Sequence, residues 1–286
     1  MTDYYLRADL ASDPAVKDQT PGALVRWAST VAEEASPADV YRNKEGRKTL
    51  RFERSDNPYF LKLHLGIGWG EIFKNLFKLR LPVLGASNEY HAVNELQRLG
   101  VDTMSVAAYA SEGFNPAAIR SLIVTDELVG TVSLEDYCMH WGESPPDPRV
   151  KMRLIAKVAD SARRMHRAGI NHRDFYLCHF HLDEETLQQA EIRCHLIDLH
   201  RAQLRSKVPV RWQIKDLAGL FFSAMDCGLS QRDLLRFVSH YNEGGLRNAF
   251  GRDAHLWRSV QSRATKLYIR ERGVEPPALR SPITVR

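Results

Sequence analysis

Period-two alternation gives way to helical periodicity partway along this chain, and that change of rhythm restricts its fold more than any other feature. From Asp39 the pattern is strand-like: Val40-Tyr41-Arg42, a turn at Asn43-Lys44-Glu45-Gly46, a run from Arg47 to Arg54, a turn at Ser55-Asp56-Asn57-Pro58, then Tyr59-Phe60-Leu61-Lys62-Leu63-His64-Leu65. Three consecutive antiparallel strands are expected. In the third, alternation puts Leu61, Leu63 and Leu65 on one face and Phe60, Lys62 and His64 on the other. Residues 89–99 read as a helix closed by Gly100, and residues 119–129 as a buried strand running into Gly130.

Beyond the proline-rich break Ser144-Pro145-Pro146-Asp147-Pro148 the rhythm is helical. Val150, Leu154, Val158, Ala162 and Met165 recur at spacings of three and four up to Gly169. Further helices are expected over 214–225, 231–241 and 254–272, with one near 24–33. The expected fold class is α+β and two-lobed, a small antiparallel-sheet lobe and a mainly helical one. Residues 1–36 form a leader on the outside, 37–129 the sheet lobe with an insertion at 66–82, and 130–286 the helical lobe.

A chain of 286 residues, 44% of them hydrophobic, can give each lobe its own core. The four cysteines, Cys138, Cys178, Cys194 and Cys227, form no Cys-x-x-Cys pair, which argues against a zinc site and suits a reducing compartment. No apolar run approaches the ~18 residues of a membrane-spanning helix, and the N-terminus lacks a secretory apolar region, so a cytoplasmic protein is expected. A net charge of +5 and a pI near 9.0 favour a negatively charged substrate or partner.

The chemistry is concentrated in two runs, Asn171-His172-Arg173-Asp174-Phe175-Tyr176-Leu177-Cys178-His179-Phe180 and Leu196-Ile197-Asp198-Leu199-His200-Arg201. They resemble the catalytic loop and the metal-binding strand end of kinases. Phosphoryl transfer needs a clamp on the phosphates, a metal, and a group that orients the attacking hydroxyl. Asp174 is the candidate for the hydroxyl, with His172 and Arg173 fixing its loop. Asp198 is the candidate magnesium ligand, because a hard cation prefers carboxylate oxygen. Lys62 is placed to reach ATP phosphates and Glu89 to hold it by an ion pair. Gly46, flanked by Arg47 and Lys48, would cover the phosphates, and backbone at Glu127 and Leu128 would meet the nucleotide base.

Two departures from the kinase pattern stand out. His179 occupies the place of a metal-binding asparagine, and imidazole is a poor magnesium ligand, so His179 is a doubtful metal ligand expected to bond phosphate or loop backbone instead. Leu199-His200 replaces Phe-Gly, and the short segment to Asp216 carries one hydroxyl, Ser206, which argues against a phosphorylation switch. The cations Arg201, Arg205, Lys207 and Arg211 suit a phosphorylated or acidic acceptor. The insertion 66–82 is basic and amphipathic, with Trp69, Ile72, Phe73, Leu76 and Phe77 on one side, a pattern fitted to an anionic membrane surface, an acyl chain, an acidic partner or the lobe's own core.

At these residues the chain resembles the bacterial lipopolysaccharide core heptose kinases of the Kdo/WaaP kinase-like family. The resemblance rests on Tyr41-Arg42 with 45–51, Gly66-Ile67-Gly68-Trp69-Gly70-Glu71-Ile72, Leu81-Pro82-Val83-Leu84-Gly85-Ala86, Asn171-His172-Arg173-Asp174 with Cys178-His179-Phe180, and 197–203. It implies a protein-kinase-like fold, ATP and Mg2+ as cofactors, and transfer to a heptose hydroxyl, expected to be O4 of heptose I, of the lipopolysaccharide inner core. It also implies peripheral attachment at the cytoplasmic face of the inner membrane, a lipopolysaccharide glycolipid as partner, an acidic or acyl-bearing carrier protein as another through 66–82, and no nucleic acid. The alternatives are a kinase for Kdo, heptose II or a protein side chain, and a non-catalytic lipopolysaccharide-binding pseudokinase.

Overall fold

The structure is a computed structural model that describes residues 4–12, 14, 16, 18–44, 46–77 and 83–278. Glu45 of the first turn and residues 78–82 of the insertion, which include the expected Leu81-Pro82 motif, lie outside the described residues. The chain divides into two compact units, Met1–Asn94 with Met104–Leu128 and Leu199–Arg201, and Glu95–Thr103 with Val129–Asp198 and Ala202–Arg286.

Along the chain the elements that bear on the first unit are β1 (Tyr4–Leu6), α1 (Ala8–Ala11), α2 (Pro21–Glu34), β2 (Val40–Lys44), β3 (Arg47–Arg54), β4 (Asn57–Leu65), α3 (Gly68–Phe77), α4 (Ser87–Arg98), β5 (Val106–Glu112) and β6 (Arg120–Asp126). The six strands form one antiparallel sheet in the order β1-β5-β6-β4-β3-β2. The expected hairpins are present. Between Arg54 and its partner Asn57 only Ser55 and Asp56 intervene, both at positive φ (48° and 61°), the type I′ geometry whose twist matches the flanking strands.

Helix α2 begins at Thr20, whose hydroxyl accepts from the Ala23 N–H, with Pro21 fixing the first turn. Its Leu24, Val25, Ala28, Val31 and Ala32 meet Leu50, Leu61, Leu63, Leu122 and Val124 of the sheet in one buried cluster. Residues of the first 36 therefore extend the sheet edge and fill its core. Alternation along β4 holds for Leu61 and Leu63, but Leu65 is half exposed and His64 is buried. Period two assigns a residue to a face without saying what covers that face. Here α4 lies over it, since Glu89 reaches Lys62.

In the second unit the elements are β7 (Thr131–Ser133), α5 (Leu134–Cys138), α6 (Pro148–Arg167), β8 (Ile170–Asn171), β9 (Phe180–Asp183), β10 (Cys194–Leu196), β11 (Gln203–Leu204), α7 (Val210–Ala224), α8 (Gln231–Tyr241), α9 (Gly245–Phe250) and α10 (Ala254–Arg272). Asp147 caps α6 by accepting from the Arg149 N–H, and Ser230 and Asp233 cap α8 reciprocally. The small-sheet unit and the helical unit are as the pattern of the sequence predicts. Helix α7 starts four residues ahead of the expected Ile214. Pro209 stands just before it, so Arg211 sits in a helical first turn and not in a loop.

Gly169 ends α6 at φ 81°, and the Arg205 carbonyl oxygen lies 1.7 Å from where a Cβ would stand. Only glycine fits there. The close approach is set by β8 pairing with β11, with Asn171 opposite Gln203 and the Arg205 N–H donating to the Gly169 carbonyl at 2.9 Å.

Candidate active site

The loop that follows β8 turns on Arg173, a non-glycine residue at φ 78°. A left-handed arginine costs roughly 1–3 kcal/mol, so its surroundings must hold it. They do so through Asp216 of α7, which is 1% exposed and accepts from the backbone N–H of His172 at 2.7 Å and of Arg173 at 2.8 Å. The Lys215 ammonium donates to the Arg173 carbonyl at 2.5 Å. Each such charge-assisted bond is worth roughly 1.5–3 kcal/mol, enough together to offset the strain. Trp212 lies under the cations of Arg173, Arg211 and Lys215, each between 5.4 and 5.7 Å from its ring.

His172 ties this loop to the segment that presents Asp198. Its Nε2–H donates to the Ile197 carbonyl at 2.9 Å. The ring is buried, and burial pushes its pKa down, so it stays neutral and keeps that tautomer. The buried Nδ1 has no hydrogen-bond partner among the described residues. His172 also stacks on His179, ring centroids 5.7 Å apart, and the Ile197 N–H donates to the His179 carbonyl at 2.9 Å.

His179 itself bonds the loop backbone, one of the two roles the sequence suggested. Its Nδ1 is 2.6 Å from the Asp174 carbonyl oxygen. A carbonyl only accepts, so Nδ1 carries the proton. In the neutral ring Nε2 is then a lone pair, and it lies 3.7 Å from Oδ2 of Asp198. Asp198 is at φ 60°, left-handed like Arg173. Among the described residues no three carboxylate, histidine or cysteine groups cluster as a metal site. A magnesium ion that takes one or two protein ligands and completes its shell with phosphate and water needs no such cluster, so Asp198 with His179 beside it fits that mode.

The first unit carries the remaining candidates. The Lys62 ammonium is 2.6 Å from Oε1 of Glu89, which is 1% exposed, and the buried Oε2 has no hydrogen-bond partner among the described residues. Gly46 forms the β2–β3 turn at φ 69°. Glu127 is tied at both ends: its N–H donates to Pro58 and its carboxylate accepts from Arg51 at 2.9 Å. Leu128 follows it at the end of the segment Met104–Leu128. His64, two residues beyond Lys62, has its pKa pushed down to about 3, by burial first and then by Arg47, Lys62 and His200.

That shift has a sign. The unfolded chain takes up a proton on His64 as pH falls below 6.5, and the folded one does not until about 3, so stability declines between those limits. A series of thermal melts should show the midpoint falling from neutral pH toward pH 4, and His64→Asn should flatten that decline. An equally steep decline in the variant would assign it to other groups.

The four cations expected at the substrate are not equivalent. Lys207 and Arg211 are exposed, Arg201 is half-buried, and Arg205 braces the loop by donating to Oδ1 of Asn171 at 2.5 Å and to Gln203 at 2.7 Å. The sequence reading left Asp216 and Lys215 without a role. A signal was there: an aspartate directly before the apolar stretch Leu217-Ala218-Gly219-Leu220 must find donors when buried.

Comparison with known proteins adds three findings. The lipopolysaccharide kinase (Kdo/WaaP) family matches residues 32–241. The chain is 49% identical over 238 residues to lipopolysaccharide core heptose(I) kinase WaaP of Escherichia coli, covering 82% of this chain and 89% of that one, and 48% identical over 241 residues to the protein of that name from Pseudomonas aeruginosa, covering 84% and 90%. The solved structure "WaaP in complex with acyl carrier protein" matches with a TM-score of 0.75 and 39% identity over 93% of this chain and 99% of that chain.

Proposed function

The chain belongs to the lipopolysaccharide kinase (Kdo/WaaP) family, a family of phosphotransferases with a kinase-like fold, and from that membership we propose that it transfers the γ-phosphate of ATP to O4 of heptose I in the lipopolysaccharide inner core. The observation that carries the reading is the second unit's arrangement of Asp174 and Asp198 around His179, joined to the loop by His172 and held from below by Asp216. Strained backbone held by its surroundings clusters at functional sites, which supports a working role for this loop.

Each residue has a task in this reading. Asp174 orients the heptose hydroxyl and takes its proton as the oxygen bonds to the γ-phosphorus and the bond to the ADP oxygen breaks. Asp198, with His179 beside it, would hold magnesium, which supplies charge neutralisation on the phosphates. Lys62, kept in place by Glu89, binds phosphate oxygens, Gly46 offers backbone N–H to them, and backbone at Glu127 and Leu128 receives the base. Arg201, Lys207 and Arg211 bind the anionic core glycan, with Arg205 beside them.

An acyl carrier protein is the proposed protein partner, since the matched structure of WaaP is a complex with one. Within the second unit Leu154, Val158, Leu220, Phe221, Phe237 and Trp257 line an apolar cavity of about 330 Å³. Apolar cavities of roughly 300–1,000 Å³ take small ligands, and an acyl chain suits this one. No helix among the described residues is long and apolar enough to cross a membrane. From the family membership, work on a lipid-borne acceptor is proposed to take place from the cytoplasmic face of the inner membrane.

Radiolabelled ATP offered with defined core glycans tests the activity. Label is expected in heptose I at O4, located by mass spectrometry, and label only in Kdo, heptose II or protein would defeat the assignment. The same preparation should co-elute with acylated carrier protein and not with the unacylated form; indifference to acylation would remove the cavity from the account.

A further inference from the structure

Helix α3 exposes an apolar face that nothing described in its own unit covers. Ile72 is 6% exposed and seats the helix, while Trp69, Phe73 and Leu76 are about half exposed and Phe77 is 87% exposed. Spaced at four and three residues along one helix, these four side chains share a face. The Trp69 and Phe73 rings stack with centroids 5.8 Å apart, which makes the patch continuous.

The border of this patch is basic. The β2–β3 turn stands beside the entry to α3, since the Leu65 N–H donates to the Gly46 carbonyl at 2.8 Å and a Cβ on Gly46 would lie 2.2 Å from the Gly66 oxygen. Strand β2, the edge of the sheet, leads into that turn with Tyr41, Arg42 and Lys44 all exposed. Lys74 on α3 is paired with Glu71 of the same helix at 3.0 Å, and Lys78 and Arg80 follow it in the sequence.

We propose that α3 and the edge strand β2 dock this protein on an anionic lipid bilayer, the α3 aromatics entering the headgroup boundary and Arg42 and Lys44 meeting the lipid phosphates. Aromatic side chains flanked by cations on a short helix are the chemistry of an interfacial anchor, and the anionic surface complements the net charge of +5. The choice of occupant rests on the proposed function, whose acceptor is anchored by lipid. Docking would place the kinase beside a substrate confined to the membrane plane and would replace a search in three dimensions by one in two.

Sedimentation with vesicles tests this directly. The protein should pellet with vesicles of phosphatidylcholine and phosphatidylglycerol and more weakly with phosphatidylcholine alone. Changing Trp69→Ser, Phe73→Ser and Phe77→Ser together should lower the bound fraction at least about tenfold, while thermal melting and phosphotransfer to a deacylated, water-soluble core glycan stay at wild-type level. Should the triple variant fail to fold, Phe77→Ser alone, at the most exposed position, should lower binding about threefold. Unchanged partition of either folded variant overturns the proposal, as does a wild-type protein that stays in solution, or a variant that loses acyl carrier binding and keeps vesicle binding. If the wild type phosphorylates no core glycan, the proposed function fails, and the vesicle result still decides the docking.

Discussion

Asp198→Ala is expected to lower kcat by about 10³-fold or more while leaving the fold intact, and Asp174→Ala and Lys62→Ala by similar factors. The reasoning starts from charge. The γ-phosphoryl group in flight spreads negative charge over its oxygens, and in the proposed function the chain would answer it with Lys62 and with a metal that Asp198 would hold. Both interactions strengthen toward the transition state, so their loss falls on kcat more than on ATP binding. Asp174→Ala should differ in kind, because it removes the group proposed to receive the hydroxyl proton and leaves the proposed phosphate contacts in place. ATP affinity, read by calorimetry, should therefore survive Asp174→Ala and weaken in Lys62→Ala. Full turnover in any of the three would remove that residue from the site.

Asp216→Ala is expected to be nearly as damaging to activity and more damaging to stability. It strips two buried backbone N–H groups, on His172 and Arg173, of their acceptor and leaves Arg173 at φ 78° with less to hold it. Roughly 2–4 kcal/mol should be lost, which in a chain of this size corresponds to a fall of about 5–10 °C in the unfolding midpoint. Asp216 makes no contact with substrate in this account and acts through the loop. Hence kcat should fall with the KM for ATP little changed, and Asp216→Asn, which keeps one acceptor oxygen, should restore part of both. If kcat and midpoint stay at wild-type values, the clamp is not what holds the loop.

These cases show which parts of the molecule a linear reading reaches. The loop aspartate, the strand-ending aspartate and the lysine strand were legible because phosphoryl transfer admits few residue types in those roles and their order along the chain repeats the chemistry. The long helices α6, α8 and α10 were legible because each has an apolar stripe of several turns and a stop signal. Strand β5 escaped because Val106-Ala107-Ala108-Tyr109-Ala110 is buried on both faces and so shows no alternation. Strand β1, three residues long, is too short to show any period, yet Arg7 beyond it pairs with Asp126 at 2.6 Å and fixes the leader to the sheet. Asp216 and Arg205 belong to partners more than 30 residues away, a relation that local pattern cannot express.

Gly169 bears on how this protein would look to a geneticist. Every missense change in its codon adds a side chain at φ 81° against the Arg205 oxygen, and β8 leads from it straight into Asn171 and the loop of Asp174. Loss-of-function alleles there would mimic those of Asp174, the proposed catalytic carboxylate, without altering that residue. A screen that ranks codons by intolerance would therefore place a residue with no side chain among those that do the chemistry.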